Sequence, residues 1–144
     1  MNNNVIITAG GNQPVYDFTV VARKVNELLT SVTSEAYATI NPKEDDELSY
    51  PYAIFDLDVE AIGDDQRAEG FYIDIELFDR SNSYMGLYEL DSKFKNLLDK
   101  LRLLNEDCWY MFKWNRTSQV PTEQRGLLRL ASQYYIKVET RKRV

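Results

Sequence analysis

Apolar positions recur at helical spacing in two stretches of the 144-residue chain and at strand spacing in four. Phe18, Val21, Val25, Leu28, Leu29 and Val32 fall three or four residues apart and form one stripe. That spacing predicts an amphipathic helix over about 16–31. Arg23, Lys24, Asn26 and Glu27 lie off the stripe, and Asp17 offers an N-cap or first-turn carboxylate. Leu87, Leu90, Phe94, Leu97, Leu98, Leu101 and Leu104 form a second stripe and predict a longer helix over about 84–104. Ser81-Asn82-Ser83 stops whatever precedes it and offers a cap.

Between these stripes the period changes to two. Ala53, Phe55, Leu57, Val59 and Ala61 alternate with Asp56, Asp58 and Glu60, and Phe71, Ile73, Ile75 and Leu77 alternate with Tyr72, Asp74 and Glu76. These are two strands, with Gly63-Asp64-Asp65 and Gly70 marking the loop between them. A second hairpin runs from Cys108 to Arg116 and from Leu127 to Arg141, its polar loop (Thr117 to Gly126) containing Pro121. Cys108, Tyr110, Phe112 and Trp114 share one face of the first of these strands, and Leu128, Leu130, Tyr134, Ile136 and Val138 share one face of the other. Residues 34–50 read as a solvated connection around Pro42 and Lys43-Glu44-Asp45-Asp46-Glu47, long enough to suggest a functional or packing role. Residues 1–15 read as an arm, in which Asn2-Asn3-Asn4 and Gly10-Gly11-Asn12 flank a short apolar stretch. The expected architecture is one α+β domain over 16–144: a four-stranded, mainly antiparallel sheet of two hairpins with two helices packed on one face, in the order α-β-β-α-β-β.

The alternation also fills the face turned away from the helices. It carries Asp56, Asp58, Glu60, Asp74 and Glu76 from the first hairpin. The second hairpin adds Lys113, Arg129 and Lys137, together with Trp109, Met111, Leu127 and Tyr135, and Tyr52, Ile54, Tyr72 and Phe78 join at the strand ends. One reading is a solvated face whose aromatics serve strand propensity. The other is a subunit interface, because Tyr, Trp, Phe and Met concentrate in interface cores. The candidate contact residues are Asp56, Asp58, Asp74, Glu76, Tyr72, Trp109, Met111, Lys113, Arg129 and Tyr135.

Charge adds to this picture. Residues 35–79 hold fourteen acids and two bases, a local charge of −12, and residues 108–144 hold two acids and eight bases, a local charge of +6. An acidic and a basic hairpin in one subunit suit head-to-tail contact between copies. Pairing across the sheet within one chain is the competing explanation.

Composition removes most catalytic chemistry. With no histidine in the chain, there is no Ser-His-Asp or Cys-His machinery and no imidazole metal ligand. Cys108 is the single cysteine, expected in the core, which excludes an internal disulfide and a cysteine-rich zinc site. Six scattered glycines form no phosphate loop. Asp56, Asp58, Asp74 and Glu76 share a face as a metal cluster would, but Phe78 stands where a nuclease-type site would place lysine. The expectation is therefore no enzyme, no cofactor and no bound metal. No apolar run approaches the roughly 20 residues of a membrane span, and nothing near Met1 looks like a signal peptide. The reading is a soluble protein made in a reducing cytoplasm, with no membrane contact. A net charge of −6 argues against nucleic acid as the main partner, with the basic Arg141-Lys142-Arg143 as a small exception.

The pattern resembles the tail terminator, or tail completion, proteins of long-tailed bacteriophages and the related small head–tail joining proteins. The likeness spans about residues 14–140. It rests on an N-terminal amphipathic helix, a first strand entered through Tyr50-Pro51-Tyr52-Ala53-Ile54-Phe55, a second running Phe71 to Arg80 into Ser81-Asn82-Ser83, then a long helix and a final hairpin. The resemblance implies a non-catalytic virion protein at the tail–neck junction, assembled in the host cytoplasm. Its copies would form a hexameric ring that caps the tail tube, ends tube polymerisation and joins the tail to the head connector. The implied partners are other copies of the chain, the tail-tube protein and the connector, with no sequence-specific nucleic acid. A head-completion or stopper ring of the same neck and a non-viral interaction module are the alternatives.

Overall fold

Helix α1 (Phe18–Val32) turns Val21, Val25 and Leu29 fully inward, and α2 (Met85–Leu98) buries Leu87, Leu90, Phe94 and Leu98. These stripes pack on a sheet of six strands: β1 (Ala36–Ala38), β2 (Tyr52–Asp58), β3 (Gly70–Arg80), β4 (Arg102–Leu104), β5 (Cys108–Val120) and β6 (Leu127–Thr140). The computed structural model of the chain describes residues 18–58, 70–105 and 108–140. The arm at 1–15, the Asp17 cap, the 59–61 end of the first strand, the Gly63-Asp64-Asp65 loop and the basic Arg141-Lys142-Arg143 fall outside them.

The strands lie in the order β1-β2-β3-β6-β5-β4. β1 runs parallel to β2, and every other neighbouring pair is antiparallel. Both helices sit on one face. The Phe18 ring meets Phe71 edge-on at 5.0 Å, and Asp91 of α2 accepts a hydrogen bond from Ser132 of β6. Beneath them lie Phe55, Phe71, Ile73, Ile75, Leu77, Tyr110, Phe112, Leu130, Tyr134 and Ile136, all but sealed from solvent. Cys108 belongs to this core.

This architecture corrects the expected one. The four-stranded, mainly antiparallel sheet of two hairpins in an α+β domain is replaced by a mostly β fold with a six-stranded mixed sheet, in the order α-β-β-β-α-β-β-β. The two additional strands, β1 and β4, are three residues long, too short to show a period of two. β1 also explains the length of the 34–50 connection. A parallel partner is reached only by a crossover of about a dozen residues, and here residues 39–51 provide it with a 3₁₀ turn at Asp45–Glu47.

The second helix is shorter than its stripe. It ends at Leu98 because Asp99 adopts extended backbone and Lys100 takes φ of 68°. Leu101 still packs against the core, while Leu104 becomes an exposed residue of β4. At the other end the N-cap is Tyr84, which makes no side-chain capping bond, and Ser83 just before it accepts the Met85 N–H on its hydroxyl at 3.1 Å. The last loop is shorter too, since β5 runs on to Val120 past a register shift between Trp114 and Arg116. One extra residue, Asn115, reverses the alternation. Thr117 therefore faces the core, where it lies 2.7 Å from the Ser132 hydroxyl and 2.9 Å from the Trp114 indole nitrogen that donates to it.

Candidate functional site

The sheet face opposite the helices collects all ten candidate contact residues. In the β2–β3 pair, Asp56 stands directly opposite Asp74 and Asp58 opposite Tyr72. Across the central β3–β6 pair, Tyr72 stands opposite Tyr135 and Phe78 opposite Arg129. In β5–β6, Lys113 faces Tyr135, Met111 faces Lys137 and Trp109 faces Glu139.

The centre of this face is held by side chains from both hairpins. The Tyr72 and Tyr135 rings lie 5.2 Å apart. Arg129 makes an ion pair with Glu76 and lays its guanidinium 5.8 Å from the Phe78 ring centre, while Phe78 stacks on Tyr52 at 4.9 Å. Burial of Tyr52 pushes its hydroxyl above the ordinary value. Gln133 donates to Asp74 at 3.0 Å and accepts from Asn115 at 2.6 Å. Charge pairing across the sheet is therefore real at Glu76–Arg129. Asp56 instead accepts from the Thr39 hydroxyl at 3.1 Å, and among the described residues neither Asp58 nor Lys113 makes an ion pair.

Two cations of this face are not visible in the sequence pattern. Arg102 pairs with Met111 and so joins this face from β4, where the helical stripe had hidden it. Arg116 stands opposite Gln133 because of the bulge. Leu104, 56% exposed, pairs with Trp109, 40% exposed, so the β4 side of the face is apolar as well as basic. The face thus divides along its central strands. Asp56, Asp58, Asp74 and Glu76 occupy the β2–β3 half, with Arg80 as a base at the end of β3 donating to Gln124 at 2.6 Å, while Arg102, Lys113, Arg116, Arg129 and Lys137 occupy the β6–β5–β4 half, where Glu139 is tied to Lys137 at 3.2 Å.

Among the described residues, no group of three or more His, Cys, Asp or Glu side chains is placed to hold a metal ion, so the four carboxylates do not converge into a metal cage. No described helix is long and apolar enough to cross a membrane.

No family model matches the chain, and no curated protein matches it. Its fold does recur among solved structures. One similar chain belongs to the virion of a native gene transfer agent (GTA) particle; it is 16% identical, with a TM-score of 0.60, and the alignment covers 78% of this chain and 84% of that one.

Proposed function

We propose that the chain is a structural protein of a phage-like virion and, within it, the tail terminator. In this reading copies of the chain form a six-membered ring at the tail–neck junction. The ring caps the tail tube, stops its polymerisation and presents a surface to the head connector. The observation that carries the reading is the fold shared over most of both chains with a component of a gene transfer agent virion. The sheet face supports it: aromatic and charged side chains cover a surface that neither helix occupies, with acids concentrated on one half and bases on the other, as a self-associating subunit would use.

The test is electron microscopy of the purified protein, alone and with tail-tube protein. Six-fold rings capping tubes of arrested length are expected. A single-chain mass at all accessible concentrations, with tubes growing unchecked, would overturn the reading. Labelling confined to the capsid portal would replace it with a head-completion ring.

A further inference from the structure

The two edges of the sheet carry complementary features. At the β1 edge, Thr39 takes φ of 70°, a costly conformation for a β-branched residue. The Ile40 N–H donates across it to the Ala38 carbonyl at 2.7 Å, closing a three-residue turn. The turn lifts Ile40 clear of the sheet, leaving it 69% exposed. Four exposed carboxylates, Glu44, Asp45, Asp46 and Glu47, follow within seven residues. The nearby Lys43 does not neutralise them, because its ammonium is held by Glu35 at 2.9 Å.

At the opposite edge, the α2–β4 connection and β5 border an open cavity of about 430 Å³. Leu101, Met111, Phe112 and Trp114 supply its apolar lining. Lys100, Arg102 and Lys113 line it too, and all three are exposed. The one carboxylate there, Asp99, already accepts the Trp114 backbone N–H at 2.9 Å. With β1 and β4 at the two ends of the strand order, five strand spacings of about 4.8 Å separate the edges. One chain cannot bring its own knob to its own cavity.

We propose that these edges are the two halves of a joint between copies of the chain. Ile40 of one copy seats in the cavity of the next, and Glu44 to Glu47 meet Lys100, Arg102 and Lys113. The proposal rests on the reading of the chain as a ring subunit and names the contact that builds the ring. Such a contact is heterologous, so it closes into a ring when the rotation permits. The charges also set its polarity, because knob on knob or cavity on cavity opposes like charges.

The test uses two charge-reversed full-length chains. One carries Lys100→Glu, Arg102→Glu and Lys113→Glu; the other carries Glu44→Lys, Asp45→Lys and Asp46→Lys. Wild-type protein is expected to sediment as an oligomer and each variant alone as a monomer with wild-type circular dichroism. An equimolar mixture of the variants is expected to recover the oligomer, with both chains in it. Variants that assemble alone like wild type, or a mixture that stays monomeric, would overturn the joint and leave the ring reading standing. A monomeric wild type would overturn both. If either variant misfolds, Ile40→Cys combined with Met111→Cys decides: oxidation should link copies into a ladder, and monomer alone would sink the joint.

Discussion

The ring of Tyr135 lies across the backbone of Gly70, so closely that a Cβ on residue 70 would overlap the ring and its hydroxyl. The same ring packs on Tyr72 at 5.2 Å. Glycine at position 70 is thus what lets an aromatic close over the start of β3 at the centre of the candidate face. Gly70→Ala should push the Tyr135 ring out, at about 1–3 kcal/mol in urea unfolding. The cost should largely vanish in a Tyr135→Ala background, where nothing remains to collide. An equal loss in both backgrounds would refute this account.

Beneath α2, a short polar chain crosses the core. Asp91, only 8% exposed, accepts from Ser132, and Thr117 bridges Ser132 to the Trp114 indole. A buried carboxylate keeps its charge cheaply only while donors face it. Ser132→Ala should cost about 1.5–3 kcal/mol, the range for a hydrogen bond to a charged group. Ser118→Ala, at an exposed position of β5, should stay within about 0.5 kcal/mol. Equal melting temperatures for the two variants would contradict the assignment.

The same residues show what was legible in the chain. Period two placed Phe71, Ile73, Ile75, Leu77, Tyr110 and Tyr134 in the core and all ten candidate residues on the other face, because long strands repeat the signal many times. Three-residue strands cannot repeat it, so β1 and β4 passed as loop and helix. Parity also fails at a bulge: strict alternation from Cys108 sends Thr117 outward, yet Asn115 turns it toward Asp91. The helical stripe ran on through Leu101 and Leu104 because apolar spacing is blind to the left-handed Lys100 that ends the helix. The joint between sheet edges was out of reach until the strand order was known.

Acid sensitivity should reside partly in the crossover. The hydrogen bond from Lys43, followed by that from Tyr37, holds the Glu35 carboxyl below its ordinary value of 4.5. A depressed folded value contributes stability that is complete above the ordinary value and is lost as pH falls through the depressed one. Lys43→Met should therefore lower stability at neutral pH and flatten its decline below about pH 4.5, where an unfolded Glu35 takes up its proton. Urea midpoints between about pH 7 and pH 3 measure this. Parallel curves for wild type and variant would show that the pair contributes nothing to acid sensitivity.

Asp56 and Asp74 stand directly opposite one another in the β2–β3 ladder. Each takes a neutral donor, Thr39 for Asp56 and Gln133 for Asp74. Like charges in that position destabilise a sheet, and relieving them is worth about 0.2–1 kcal/mol. Asp56→Asn retains an oxygen for Thr39 and should stabilise the isolated subunit by that amount, with the gain shrinking as salt screens the repulsion. If this half of the face meets the basic half of a neighbour, the same change should weaken assembly, so stability and oligomer mass should move in opposite directions. That opposition separates a contact surface from a merely solvated one: on a solvated face the stability gain would come with no change in mass at any salt concentration. Sedimentation of wild type and variant at low and high salt, alongside urea unfolding in the same buffers, reads both quantities at once.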